Sequence, residues 1–371
     1  MRTSFTMGRL FGIPIRINYT WFLIIILMTL SLSLAELPAV APGFPAWLYW
    51  PVGVLGSLLF FGSVLAHELA HSLVARAQGT PVRDITLFLF GGVSSIEAES
   101  ENPLKEILMA GVGPATSLVL ALAFALLFWV FRPLNALVSG FFLLLTLVNG
   151  WLAIFNLLPG LPLDGGRVLR AVIWQTSGNY RLSTRIAATT GRVISFLLIG
   201  GGILWTFSGG FSGLWLALIG WFMDNAATQS YKQVILQDLL RGVTVADLMT
   251  PECARIPPGL SVATLVDGYV LHQGGRCFLV VEGDILAGMV TMHNIRGLPR
   301  ERWPDTRVGE IMVPAQELVL AHPNEDAWKV LRRMDERNVN QLPVEENGRL
   351  IGLIARENLL RYVRAKAELG M

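Results

Sequence analysis

From Leu37 to Ala66 the chain runs thirty residues without a charged side chain, and Ile17 to Ala35, Ile107 to Phe131 and Pro133 to Leu163 are runs of the same kind. A helix crosses the hydrocarbon of a bilayer in about 20 apolar residues, and in that medium each backbone polar group must find its partner within the protein. These runs predict membrane-spanning helices and exclude a soluble globular fold. The stretch Ile186 to Tyr231 holds only Arg192 and Asp224 and is interrupted by Ser208-Gly209-Gly210, which predicts two more spans and six in all. The first run begins after Arg16 with no small-residue cleavage pattern behind it, so it is expected to stay in the mature chain.

Charge separates this membrane body from the C-terminal remainder of the chain. Residues 1 to 235 carry 13 of the 29 Lys+Arg and 9 of the 27 Asp+Glu, so the shorter remainder holds most of both and has a soluble domain's composition. A net charge of +2 gives no basic field for nucleic acid, which is not an expected partner. Two cysteines, Cys253 and Cys277, argue against a disulfide framework and against thiolate metal ligation, and suit a reducing compartment. Basic residues accumulate on the cytoplasmic side of a membrane. With the N-terminus inside, Arg2, Arg9, Arg16, Arg76, Arg83, Lys105, Arg167, Arg170, Arg181, Arg185 and Lys232 fall inside and only Arg132 outside. The expectation is a multi-pass cell-membrane protein whose N-terminus and soluble part are cytoplasmic.

Between the second and third runs, Ile85, Leu87 and Leu89 alternate with Thr86, Phe88 and Phe90 before Gly91-Gly92 turns the chain into Val93-Ser94-Ser95-Ile96. Pro81 to Ser100 therefore predicts a small β hairpin near the end of the second span. It is either a space-filling interfacial element or an edge, at Ile85 to Phe90, on which an extended peptide adds as a strand.

His67-Glu68-Leu69-Ala70-His71 closes the second run. Histidines four apart on a helix face one side and can share a Zn²⁺, with the intervening Glu68 placed as general base for a water. Ionisable residues inside a membrane helix are costly and mark function, and these are the only histidines of the membrane part. A buried ion pair or proton relay is the alternative use of the same groups. A catalytic zinc takes three protein ligands and a water. Asp164 is the only acidic residue between Arg132 and Arg192, and the inward run of the fourth span returns it to the side of His67 and His71. It also suits the N-cap of a helix from Gly165 to Trp174. Asn156, followed by Pro159 and Pro162, either interrupts a helix near the interface or offers a carboxamide to a substrate backbone or an oxyanion. Gly111, Gly113, Ala115 and Ser117 form a small-residue patch of the kind used for close helix packing.

HELAH in one span, with Asn156-Leu-Leu-Pro159-Gly-Leu-Pro-Leu-Asp164-Gly165 after a later one, resembles the site-2 protease family of intramembrane zinc metalloproteases, whose pattern is HExxH plus NxxPxxxxDG. The GxxxN/S/G element between them is matched by Gly113 to Ser117. The resemblance covers most of residues 1 to 235 and implies zinc on His67, His71 and Asp164, Glu68 as base and Asn156 in substrate binding. It further implies hydrolysis of a peptide bond within or beside a transmembrane segment of a membrane-protein substrate. No PDZ-like insertion separates the motifs.

The soluble part repeats itself. Val245-Ala-Asp-Leu-Met249-Thr-Pro251 recurs as Val308-Gly-Glu-Ile-Met312-Val-Pro314, and Gly288-Met-Val-Thr-Met-His-Asn294 as Gly352-Leu-Ile-Ala-Arg-Glu-Asn358. Two α/β units of about sixty residues, roughly 245–299 and 308–363 within 243–365, are expected. They resemble a tandem pair of cystathionine-β-synthase (CBS) domains, which implies an ATP or AMP site involving Thr291, Asn294 and Asn358. The usual signature has aspartate where both asparagines stand, and Ala355 replaces its hydroxyl residue in the second unit, so weak binding or a purely structural, homodimer-forming pair is expected. The whole is read as a protease whose CBS pair restrains access. The rival is a CBS-gated transporter or channel with His67, Glu68 and Asp164 as an ion path.

Overall fold

The computed structural model describes residues 4–89, 91–96, 102–210, 212–250, 254–272, 274, 277–283, 285–347 and 349–369. Phe90, residues 97–100, Pro251 and Cys253 lie outside the described residues, and Cys277 is described by its backbone alone. The chain divides into two compact units, Met1–Lys232 and Gln233–Met371.

Phe11 and Gly12 both hold positive φ, 50° and 80°, as a tight hairpin turn requires. They fold Ser4–Leu10 (β1) onto Ile13–Asn18 (β2). Ile13, Ile15 and Ile17 alternate with more exposed residues and are buried. Strand β2 pairs in parallel with Val82–Phe88 (β3), which pairs antiparallel with Gly91–Ile96 (β4), giving the order β1-β2-β3-β4. The expected hairpin is therefore present as β3 and β4, but as half of a four-stranded sheet. Ile13 and Ile15 pack with Ile85 under Leu65 and Leu69, so β2 covers the side of β3 that the hairpin alone would leave open. Pairing on both sides of Ile85, Thr86 and Leu87 excludes the expected added strand there, and the free edges of the sheet belong to β1 and β4.

Among the described residues, five helices are long and apolar enough to cross a membrane: Thr20–Val40 (α1), Ala46–Ala77 (α2), Pro103–Phe131 (α3), Ala136–Asn156 (α4) and, after the shorter Asp164–Ser177 (α5), Tyr180–Phe207 (α6). The sixth expected span forms a 29-residue helix, Ser212–Leu240 (α7). Its apolar stretch from Leu214 stops at Asp224-Asn225, so five helices rather than six qualify on their own composition. Outward faces are apolar, with Leu118, Leu122, Leu126, Leu197 and Leu204 all exposed. Water would penalise that surface; lipid does not. Trp47 and Trp129 stand near the first residue of α2 and the last of α3, where amphipathic rings suit an interface.

The inward stripe of α2 runs Tyr49, Gly53, Gly56, Phe61, Val64, His67, His71 and Ala75, at helical spacing. The two histidines thus occupy the frame that elsewhere carries packing residues. Helices α3 and α4 form a hairpin, capped where Asn135 accepts from the Leu137 and Val138 N–H groups.

In the second unit the repeats interlock. Val245–Leu248 (α8) and Val308–Ile311 (α11) are equivalent first turns; they flank Ala254–Ile256 (β5), Val262–Leu271 (α9), Cys277–Glu282 (β6), Ile285–Thr291 (β7) and Met292–Arg296 (α10). After α11 come Val313–Pro314 (β8), Ala327–Arg337 (α12), Gln341–Glu346 (β9), Arg349–Ala355 (β10) and Arg356–Glu368 (α13). Val245 donates its N–H to Glu325 O (2.9 Å), and its counterpart Val308 donates to Leu260 O (2.8 Å). Thr250 bridges Leu353 while Val313 pairs with Met289. Each repeat therefore completes the sheet of the other, which is the physical content of the sequence repeat.

Candidate metal centre

Two helices of the first unit bring three ligand-type side chains together. Helix α2 supplies His67 and His71 from adjacent turns of its buried stripe, and α5 supplies Asp164 from its first residue, after the Leu157–Leu163 connection. Gly165 and Gly166 make that connection possible, because a Cβ on either would lie 2.1–2.5 Å from backbone atoms of residues 157–161. Asp164 opens the helix but does not cap it, since no side-chain cap is made. Its carboxylate turns to the histidines instead.

His67 Nε2, His71 Nε2 and Asp164 Oδ2 form a triangle with all three edges 3.1 Å, and the three residues are 4–8% exposed. The outer nitrogens define what the inner ones are. His71 Nδ1 lies 2.6 Å from Met109 O, and a carbonyl only accepts, so Nδ1 carries the proton and Nε2 of the neutral ring is a bare lone pair. His67 Nδ1 is 2.9 Å from Ser117 Oγ, which sets that ring in the same way when the hydroxyl accepts. Acceptors thus converge on one point in a water-poor interior, an arrangement that needs a cation. Ligand atoms around a tetrahedral zinc at about 2.0–2.1 Å stand roughly 3.3–3.4 Å apart, close to the observed edges. Among the described residues, this is the group of His, Cys, Asp or Glu side chains arranged to hold a metal ion.

The patch on α3, expected only to pack, shapes the site. A Cβ on Gly113 would stand 2.1 Å from His71 Nε2 and 2.6 Å from His67 Nε2. Gly113 therefore leaves the space into which both rings project, while Ser117, one turn on, binds His67. GxxxS is also a packing code, and only the arrival of α3 against α2 distinguishes the two uses.

Glu68, half-buried beside the triangle, has its Oε2 bonded by Ser94 Oγ on β4 at 2.7 Å. Ser94 in turn approaches Ser72 Oγ at 3.2 Å. Gly92 gives Glu68 its room, as a Cβ there would lie 2.5 Å from Glu68 Cγ. The sequence placed the hairpin near the site; that β4 grips the carboxylate next to the histidines was not legible in it.

Asn156 stands in the last turn of α4 with its Nδ2 donating to Leu152 O (2.9 Å), within its own helix. In the second unit Thr291 and Asn294 form a capping box, Asn294 Oδ1 accepting from Thr291 N (3.0 Å) and Oγ1 (2.7 Å). Both line a cleft of about 1370 Å³ with Arg356, Arg361 and Arg364. Asn358 is not among its lining residues; its Nδ2 donates to Leu248 O and Thr250 Oγ1, both at 2.9 Å, tying α13 to the other repeat's first turn.

A bundle of membrane-crossing helices that points two histidines, an aspartate and a neighbouring glutamate at one buried spot has the form of a membrane-embedded metallohydrolase. Comparison with known proteins agrees. The profile of peptidase family M50 matches residues 55–200, and that of the CBS domain matches 308–365. The Synechocystis protein sll0528 is 36% identical over 376 residues, covering 99% of this chain and 97% of its own. Rip3 of Mycobacterium tuberculosis is 35% identical over 98% of this chain and 93% of its own. Among solved structures, the site-2 protease from Methanocaldococcus jannaschii is 27% identical with a TM-score of 0.44, covering 62% of this chain and 95% of that one. The chain belongs to the M50 family: it is an intramembrane zinc metalloprotease of the site-2 type, acting in regulated intramembrane proteolysis, with a CBS domain behind it. The transporter or channel reading is set aside by that membership.

Proposed function

We propose that His67, His71 and Asp164 hold the zinc ion, that Glu68 is the general base, and that the bond cut lies within or next to a transmembrane segment of a membrane-protein substrate. The convergence of three acceptor atoms at 3.1 Å carries this reading. When bound, zinc acidifies a water and polarises the scissile carbonyl. Glu68 takes the proton at Oε1, since Ser94 occupies Oε2, and delivers it to the leaving amine. A helical peptide bond is shielded by its own hydrogen bonds, so the substrate must be extended before attack. The outer edge of β4, next to Glu68, is suited to hold it as an added strand. Asn156, eight residues before Asp164, offers its carboxamide to the substrate backbone. Elemental analysis of purified wild type and His67→Ala tests the reading: stoichiometric zinc in the first and its loss in the second are expected, and a metal-free, active wild type refutes it.

The basic residues clustered around the ends of α2 and α5 favour a cytoplasmic placement of the metal-site side. A cytoplasmic N-terminus and repeat unit together require α7 to cross as well, its Asp224 neutralised by Arg192 at 3.0 Å. The arginine-lined cleft suits an anionic adenine nucleotide such as ATP or AMP, held weakly because Asn294 lacks a carboxylate's charge. The repeat unit is assigned a regulatory role in substrate access and in homodimer formation, checked by cleavage with and without ATP and by light scattering.

A further inference from the structure

Glu106 and Arg170 meet deep in the first unit and take no part in the chemistry above. Glu106 is 2% exposed. Its Oε1 accepts from Arg170 Nε at 3.0 Å and also from Nη2, while Oε2 is buried without a hydrogen-bond partner. The Arg170 guanidinium also lies 5.0 Å from the Tyr180 ring centroid at the start of α6. A buried ion pair with an unsatisfied oxygen is a poor stabiliser, and a well-packed apolar pair of similar volume commonly does as well or better. Glu106 sits in the first turn of α3, where a negative charge suits the helix dipole, but that effect needs no burial and no arginine.

Position supplies the reason. Glu106 precedes by one turn Met109, whose carbonyl fixes the His71 ring, and by two turns Gly113, which makes room for both rings. Arg170 lies on α5, the 14-residue helix whose first residue is Asp164. The ion pair is thus a directional bond between the helix that orients the histidines and the helix that brings the third ligand. Resting on the metal-site reading above, we propose that Glu106 and Arg170 are positioning residues that hold Asp164 in register with His67 and His71 and so set how tightly zinc is retained. Apolar contacts between α3 and α5 permit sliding by fractions of an ångström; a charged pair in which Arg170 Nε and Nη2 both donate to Glu106 Oε1 resists it.

The test measures zinc loss to an excess chelator, alongside thermal unfolding, in full-length protein. Glu106→Gln and Arg170→Gln are expected to lose zinc at least tenfold faster than wild type. Because either leaves a buried polar group unpaired and can fail to fold, Glu106→Leu/Arg170→Met is the deciding variant. Unfolding at or above the wild-type temperature with zinc loss still at least tenfold faster supports positioning. Wild-type zinc retention in that double variant overturns it and leaves the pair a structural contact. Glu106→Asp, which keeps both charges but shortens the acidic side chain by one methylene, is expected to fold and to lose zinc several-fold faster; unchanged loss counts against the proposal. Wild type without zinc would instead refute the metal-site reading, so the two failures are distinct.

Discussion

Replacing Gly113 by alanine asks whether one methyl group can empty the metal centre. Non-bonded heavy atoms rest about 3.5 Å apart, and the new Cβ would stand 2.1 Å from His71 Nε2 and 2.6 Å from His67 Nε2. Relief requires a displacement of roughly 1 Å or more, several times the tolerance of about 0.2 Å on metal–ligand distances. The rings cannot turn away freely, because each is held at Nδ1, by Met109 O and by Ser117 Oγ. Overpacking costs about 1–3 kcal/mol, against which alanine recovers up to about 1 kcal/mol of helix propensity over glycine. The variant should therefore fold, lose roughly 10–100-fold or more in zinc affinity, and fail to cleave. Gly111→Ala is the control: a Cβ there meets nothing within 4 Å, so zinc and turnover should be unchanged. Elemental analysis of detergent-purified protein, a cleavage assay on a transmembrane substrate and thermal unfolding give the answer. Stoichiometric zinc with wild-type turnover in Gly113→Ala would show that the rings are not where the structure puts them.

Glu68→Gln should keep zinc while cleavage falls by about 10²–10⁴-fold, and wild-type turnover in it would sink the base assignment. Ser94→Ala, which frees Glu68 Oε2, is expected to lower kcat by about tenfold, for a lost hydrogen bond to a charged group of roughly 1.5 kcal/mol, with zinc content unchanged; no change means that β4 does not position the base. A proline scan from Gly92 to Ser95 should depress cleavage at alternate positions, those whose N–H points outward from β4, without loss of zinc; uniform loss would mark the strand as merely structural. Asn294→Asp should tighten ATP or AMP binding by about tenfold if the cleft takes a nucleotide ribose at that residue, and calorimetry showing equal affinities would remove Asn294 from the site.

The candidate metal cluster was legible because its chemistry is written at short range or by scarcity: His67 and His71 one turn apart, and Asp164 the lone acid in a long apolar tract. The CBS-like repeat was legible as self-similarity. What escaped depends on contacts between distant segments. The parallel pairing of β2 with β3 joins Ile15 to Ile85 across two whole helices, so the Ile13-Ile15-Ile17 alternation reads in sequence only as the flank of a span, and β3 as an edge. Ser117 and Gly113 look like packing residues because a helix surface uses the same small side chains for both purposes. Glu106 and Arg170 are 64 residues apart, with no local pattern linking them. The sixth run falls short of a span by composition for a different reason: a count of charges passes over Asn225, Gln229 and Gln233, which lower the apolarity of α7 without adding charge.

The exchange of strands and turns between the two repeats of the second unit separates the unit of sequence from the unit of folding. Residues 308–365 match a family profile by themselves, but the bridge that Leu353 makes comes from Thr250, and the turn that contacts Glu325 comes from Val245. A fragment cut at Val308 would keep the donor segment meant for its neighbour and lack the one meant for itself. Such half-modules satisfy each other most readily by swapping with a second copy. A single-repeat fragment should then be recovered as an intertwined dimer, and a nick between Arg302 and Val308 should leave the two halves associated.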